Sequence, residues 1–103
     1  MKKCHNIYKS TKLIHVLLGY TERAPTQDRI INSITITGDF FVYPEESLNQ
    51  LEASLIDTKL EKYHVRQKIQ RWLRGTQTQV FGFDSESLTK AIMGCLDNDE
   101  TKI

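Results

Sequence analysis

The most informative part of this chain is residues 34–56, ITITGDFFVYPEESLNQLEASLI. Its first residues alternate between apolar and polar side chains, which is typical of a strand with one buried face. Gly38 ends that pattern, and Pro44 with the acidic pair after it is favourable at the start of a helix. The aliphatic residues that follow recur at helical spacing: Leu48, Leu51, Leu55 and Ile56. This stretch therefore predicts a strand, a short loop and an amphipathic helix.

The segments on both sides of this stretch complete a predicted α+β domain. Residues 12–20, KLIHVLLGY, have apolar side chains at both odd and even positions, hence on both faces of an extended backbone. This pattern predicts a strand that is covered on both faces. The polar residues 21–28 connect it to the strand at 29–37 as an antiparallel hairpin. Two further helices are predicted, one at residues 62–74 and one that follows a cap at Asp84 or Ser85. Their apolar stripes are Val65, Ile69, Trp72 and Leu73 in the first and Leu88, Ala91, Ile92, Cys95 and Leu96 in the second.

This pattern predicts a small antiparallel β-sheet with three helices packed on one side. The chain has 103 residues. Domains commonly have about 100–200 residues, so this length indicates one domain and leaves no room for a second. Residues 1–11 carry lysines, no acid and little periodicity, and we expect them to form a flexible N-terminal arm. The single domain is expected at residues 12–96, followed by an acidic tail at residues 97–103.

Composition and charge exclude several classes of protein. The chain has 14 Lys and Arg residues and 13 Asp and Glu residues, hence a net charge of +1, whereas a dedicated nucleic-acid-binding protein usually has a strong basic excess. Its two cysteines, Cys4 and Cys95, form no disulfide framework and favour a reducing, intracellular compartment. No segment has the pattern of a signal peptide or the about 20 apolar residues of a membrane span. We expect a cytoplasmic protein that binds neither nucleic acid nor membrane.

No catalytic or metal-binding motif is present in the sequence. The histidines and cysteines have no CxxC or HxxxH spacing, and there is no phosphate-binding glycine loop or dinucleotide fingerprint. The six cations of residues 59–74 are spread over most of the polar side of the predicted helix. That distribution favours a solvated face or a surface for an acidic partner over a helix that reads a DNA groove. The chain is therefore expected to have no catalytic, cofactor-binding or metal-binding residues.

The adjacent phenylalanines at positions 40 and 41 are the unusual feature of the loop. Successive side chains of an extended backbone point to opposite sides, so one ring can enter the core while the other needs a second surface. Two explanations stay open: both rings lie in the core, or one of them anchors a partner protein, since aromatic residues dominate interface energetics. The candidate partner-binding residues are Gly38, Asp39, Phe40 and Phe41.

The same stretch resembles the C-terminal accessory domain of lipoate–protein ligases. In that family a strand ends in glycine-aspartate-phenylalanine-phenylalanine, and a short loop leads to a helix with a leucine-glutamate pair and, at its end, an aliphatic pair. The matching residues here are Ile36, Gly38, Asp39, Phe40, Phe41, Leu51, Glu52, Leu55 and Ile56. The resemblance extends weakly over residues 12–96. It departs from the family pattern after the aliphatic pair, where Asp57 stands in place of the usual glycine.

The resemblance implies an accessory subunit of a two-component lipoate–protein ligase. In such an enzyme the large catalytic subunit binds lipoate, ATP and Mg²⁺, and the small subunit is required to activate lipoate to lipoyl-adenylate. The implied complex is a heterodimer, with a lipoyl carrier domain as a transient partner, and this chain is not catalytic alone. Two other functions stay open on the residues. One is a scaffold of the iron–sulfur assembly fold type, which needs reactive thiols, and the other is a nucleic-acid-binding module that uses the basic helix.

Overall fold

The computed structural model describes residues 1–9, 12–75 and 78–98 of the chain. The described residues form two antiparallel sheets, one with strand order β1-β2-β3 and one of β4 and β5, together with three α-helices. This confirms the predicted α+β architecture. In chain order the elements are β1 (Lys2–Lys9), β2 (Leu13–Arg23), β3 (Asp28–Gly38), β4 (Phe41–Tyr43), α1 (Glu46–Leu55), α2 (Lys62–Gly75), β5 (Gln79–Phe81) and α3 (Ser85–Met93), and α3 continues into a 3₁₀ turn, Gly94–Asn98.

The hydrophobic core lies between one face of the three-stranded sheet and the helices. Helix α1 packs against β3, α3 packs against β1 and β2, and α2 packs against the other two helices. Each Å² of apolar surface that folding removes from water stabilises the folded state by about 25 cal/mol. Because most of the buried apolar side chains lie in this layer, it is the main source of stability. Alternate residues of β2 and the predicted helical stripes supply the buried side chains, among them Ile14, Val16, Leu18, Leu51, Leu55, Val65, Ile69, Leu88 and Ile92.

The N-terminal segment corrects a prediction. Residues 1–11 are not a flexible arm in their described part, because β1 pairs with β2 along its whole length. Its inward residues are Cys4, Asn6 and Tyr8, and the Asn6 side-chain amide donates a hydrogen bond to the Ala91 carbonyl oxygen at 2.9 Å. A cysteine, an asparagine and a tyrosine carry little of the aliphatic alternation by which a strand is recognised. The predicted acidic tail lies outside the described residues from position 99 onward.

The large sheet differs from its prediction in two further respects. Leu17 of β2 is 50% exposed, so the predicted burial of residues 12–20 on both faces is wrong, while the helices lie on one side of the sheet as predicted. A β-bulge at Gly19/Tyr20 also shifts the register against β3. It brings Ile31 into the core with Ile34, although strict alternation places these two residues on opposite faces.

Side-chain hydrogen bonds position two of the helices. Glu52, in the middle of α1, accepts a hydrogen bond from the Ile36 amide at 2.8 Å and so covers part of the outer edge of β3. Asp84 caps α3 as predicted, because its carboxylate accepts a hydrogen bond from the Ser87 amide at 2.7 Å. Hydrogen bonds from the backbone and side chain of Ser87 hold the pKa of the Asp84 carboxyl below its usual value.

The turn after α1 is bound to the edge of β3. The Asp57 amide donates a hydrogen bond to the Ile31 carbonyl oxygen at 2.8 Å, and the Ile31 amide donates one to Thr58 at 2.9 Å. This pairing places Asp57 at a φ of 66°, in the left-handed region that glycine adopts without steric penalty. This backbone geometry suits the glycine that the resemblance implies at this position.

Substitutions at position 57 test this backbone requirement. We expect Asp57→Ala to lower the free energy of unfolding by about 1 kcal/mol, since Cβ is disfavoured in the left-handed region and aspartate tolerates it better than alanine. Asp57→Gly should equal or exceed the wild-type stability, because relief of strain is only partly offset by the greater entropy of the unfolded chain. Equilibrium urea denaturation measures both variants. Equal losses in the two would mean that the carboxylate, and not the φ angle, stabilises the turn.

Candidate partner-binding surface

The four residues predicted to bind a partner lie between the end of β3 and the start of β4. The backbone of Gly38 packs against the Leu13 carbonyl group so closely that an added Cβ would lie 2.1 Å from its oxygen. The Asp39 amide donates a hydrogen bond to the same oxygen at 3.0 Å. Glycine is therefore required here by the backbone, which at this residue has a φ of 154°. The Asp39 side chain is exposed.

The two adjacent phenylalanines have different environments. Phe40 packs against the core, and its ring centroid lies 4.9 Å from that of Phe83 in an edge-to-face arrangement. Phe41 begins β4 and is 56% exposed. The explanation in which both rings lie in the core is therefore wrong, and Phe41 is the ring that the described residues leave more than half exposed.

An aromatic layer attaches the small sheet to the core. Phe83 stacks on Trp72 of α2, with ring centroids 6.4 Å apart and planes 14° apart. The Trp72 indole N–H donates a hydrogen bond to the Ser47 carbonyl oxygen at 2.7 Å. On the inward side of the small sheet, Val42 lies opposite Val80 and is 6% exposed. The inner face of β4 and β5 is thus part of the domain core.

The outward face of the small sheet carries three aromatic rings. Phe41 lies directly opposite Phe81 in the antiparallel pairing, and Tyr43 follows two residues later in β4. Because side chains alternate along a strand, all three project from the same face. Phe41 is 56% exposed, Tyr43 60% and Phe81 61%. We call Phe41, Tyr43 and Phe81 the aromatic patch.

The composition of the aromatic patch is typical of a protein-binding surface. Single exposed apolar side chains are common, but a contiguous group of large ones marks an interaction site. Aromatic side chains bury a large area and are enriched among the residues that contribute most to binding. Asp39, two residues before Phe41 in the chain, is also exposed and adds a carboxylate to this part of the surface. The patch is therefore the candidate functional site of the described residues.

Comparison with known protein families identifies the domain. The model of the bacterial lipoate protein ligase C-terminus matches residues 22–94, which is more than half of the chain. The chain belongs to this lipoate protein ligase family. The match begins in β2 and ends at the start of the 3₁₀ turn, so it contains the whole aromatic patch.

A solved structure is similar to this lipoate protein ligase domain over almost its whole length. It comes from the structural analysis of an archaeal lipoylation system, a bipartite lipoate protein ligase and its E2 lipoyl domain from Thermoplasma acidophilum. The superposition has a TM-score of 0.70 at 28% sequence identity and covers 89% of this chain and 97% of the other. No curated protein sequence gives a significant match.

The sequence of the lipoate protein ligase domain points to only part of its aromatic patch. Phe41 is among the predicted residues, whereas Tyr43 and Phe81 are not. Tyr43 lies two residues after Phe41, and side chains at that spacing in a strand project from the same face. The periodicity of a strand could therefore have predicted that Tyr43 belongs to the patch. Phe81 is distant in the chain, and only the pairing of β4 with β5 places it beside Phe41.

Other sites considered from the sequence have no support in the structure of this lipoate protein ligase domain. Cys4 and Cys95 are 1% and 0% exposed, so the iron–sulfur scaffold, which needs accessible reactive thiols, is excluded as a function. In the described ranges, no group of three or more His, Cys, Asp and Glu side chains is arranged to hold a metal ion. None of the helices that the structure describes is long and apolar enough to cross a membrane.

Proposed function

We propose that this chain is the accessory subunit of a two-component lipoate–protein ligase, required by a large catalytic subunit to convert lipoate and ATP to lipoyl-adenylate and pyrophosphate. The main support is the similarity, over nearly the full length of both chains, to a chain of a bipartite lipoate protein ligase system. In this proposal the catalytic subunit binds lipoate, ATP and Mg²⁺, and the heterodimer acts in the cytoplasm. A lipoyl carrier domain is the transient third partner that accepts the lipoyl group.

The chemistry of adenylation gives an accessory subunit a physical role. Lipoyl-adenylate is a mixed anhydride that water can hydrolyse, so a catalytic site that excludes water during its formation keeps more of the product. A separate module can order the active-site loops in one docked position and move away to admit the acceptor in another. We assign the docking contact to the aromatic patch and to the neighbouring Asp39.

The size of the aromatic patch suits this contact. One aromatic side chain can bury about 150–250 Å² of surface. Three rings that are 56–61% exposed therefore have roughly 250–450 Å² of accessible surface left to bury against a partner. A standard interface buries about 800 Å² on each partner. The patch can therefore supply a third to a half of such an interface, and the surrounding loop and strand residues supply the rest.

The formation of lipoyl-adenylate tests this function directly. We expect this chain to stimulate the ATP-dependent reaction of a catalytic subunit from the same organism by about a hundredfold, which is the loss that a misplacement of about 1 Å in an active site causes. The measurement separates radiolabelled lipoyl-adenylate from ATP after incubation with and without the chain. Absence of stimulation, together with absence of co-elution of the two chains, would contradict the proposal.

A further inference from the structure

We infer that the groove between α1 and α2 is a docking site for an acidic polypeptide segment that carries an apolar side chain between its carboxylates. The aromatic patch contributes no residue to this groove, and the inference does not rest on the proposed ligase function. It rests on the shape of the groove, on the charges along it and on the apolar side chains at its end.

The groove consists of two cavities that share walls. The larger cavity, of about 380 Å³, lies between residues 56–59, which follow α1, and the outward side of α2 from Tyr63 to Arg71. The smaller, of about 280 Å³, lies between α1 and the next part of α2, up to Trp72. Lys68 and Arg71 line both cavities. At 1.5 Å of rise per residue the groove follows about 14 Å of α2, which is the length of a short peptide rather than of a compact ligand.

The charge along the groove is positive. The sequence of α2, KYHVRQKIQRWLRG, contains five Lys and Arg residues and no acid. Lys68 and Arg71 form no ion pair with any other residue of the described ranges, whereas Lys59 at the end of the groove lies 3.4 Å from Asp28. Like charges on successive helical turns repel each other, and bound carboxylates would remove that repulsion. Asp57 also lines the groove, and Glu61 lies 3.7 Å from Lys59 and 3.9 Å from His64. The positive charge is therefore concentrated at Lys68 and Arg71, where the two cavities meet.

The lining favours a polypeptide over a nucleic acid. The Arg71 guanidinium can bind a carboxylate through two hydrogen bonds, and Lys68 can bind a second carboxylate. Ile56 and Tyr63, which are 37% and 66% exposed, offer contact to an apolar side chain. The other α2 cations that a phosphate backbone would need lie outside the groove: Lys62, Arg66 and Arg74. A net charge of +1 on the whole chain also gives little long-range attraction for a polyanion.

A peptide titration with matched charge variants tests this site. The probe is the peptide Glu-Glu-Leu-Glu-Glu-Leu, and its neutral control replaces each glutamate with glutamine. In an NMR titration of the isotope-labelled full chain, we expect the largest chemical-shift changes of backbone amides at residues 56–59 and 63–72. The neutral peptide should bind at least about tenfold more weakly than the acidic one. The double variant Lys68→Glu with Arg71→Glu should lose about tenfold or more in affinity. The control Arg66→Glu with Arg74→Glu, on the same helix and with the same change in charge, should lose less than about threefold.

Three results would overturn the inference. The first is an equal loss in both double variants, which would show attraction by net charge alone. The second is a set of shifts centred on the aromatic patch and not on the groove. The third is tighter binding of double-stranded DNA than of the acidic peptide at the same salt concentration. If the glutamate variant does not fold, Lys68→Gln with Arg71→Gln replaces it, with Arg66→Gln and Arg74→Gln as its control. Since this titration needs no catalytic subunit, its failure is distinguishable from failure of the adenylation assay.

Discussion

Phe41→Ala should weaken the complex with the catalytic subunit by about thirtyfold or more, while the isolated chain keeps its stability to within about 0.5 kcal/mol. The ring is 56% exposed and lies on the outward face of the small sheet, so its removal leaves no cavity in the core. Truncation of a central aromatic residue in an interface typically costs about 2 kcal/mol or more, which corresponds to that change in affinity. Isothermal titration calorimetry gives the affinity, and urea denaturation of the isolated chain gives the stability.

Two further variants show whether this effect is specific. Leu17→Ala removes an apolar side chain of similar exposure, 50%, from the open face of the large sheet, and it should leave the affinity unchanged. Phe40→Ala should mainly lower stability, because Phe40 packs edge-to-face on Phe83. If Leu17→Ala weakens the complex and Phe41→Ala does not, the docking surface is the open sheet face and the assignment to the aromatic patch is wrong.

Gly38→Ala should destabilise the domain by about 3 kcal/mol, which combines the strain of an unfavourable φ with the displacement of packed backbone. An alanine Cβ would lie 2.1 Å from the Leu13 carbonyl oxygen, a distance that requires β2 or β3 to move. The loss is large because domains of this size have only about 5–15 kcal/mol of total stability. Urea denaturation of Gly38→Ala against the wild type measures it.

Gly75→Ala is the matched control for this substitution. It makes the same chemical change at the end of α2, where an added Cβ would have no neighbour within 4 Å among the residues that the structure describes. Its stability should stay within about 1 kcal/mol of the wild type, with a gain expected from the lower entropy of the unfolded chain. A stable Gly38→Ala variant that fails to bind the catalytic subunit would instead place Gly38 in the interface itself.

These predictions divide one short motif by role. Gly38 and Phe40 have positions that the fold requires, since one contacts the backbone of β2 and the other contacts Phe83. Asp39 and Phe41 are exposed and remain available to a partner. A sequence motif that is typical of a family can therefore contain both residues that the fold requires and exposed residues that are available to bind a partner. The sequence alone assigned all four to partner binding and does not separate the two roles.

Features that depend on neighbouring residues were predictable from the sequence. The helical stripes of α1, α2 and α3, the alternation of β3 from Ile34 onward and the cap at the start of α3 are patterns within one segment, and the structure confirms them except at Ile56, which is 37% exposed. They are predictable because a helix or strand repeats its exposure every 3.6 or 2 residues, and burial selects apolar side chains at that period. The family motif at positions 38–41 is likewise a run of consecutive residues, and the family match confirms the resemblance drawn from it.

Features that depend on distant residues emerged only with the tertiary structure. β1 was missed because its inward residues are not aliphatic, and it is held by pairing with β2 and by contact with the segment at Ala91. The bulge that turns Ile31 inward is a property of two strands together. Phe81 joins Phe41 only through the pairing of β4 with β5, and the basic groove exists only where α1 lies against α2. Each of these depends on which segments pack together, and no periodic pattern within a single segment carries that information.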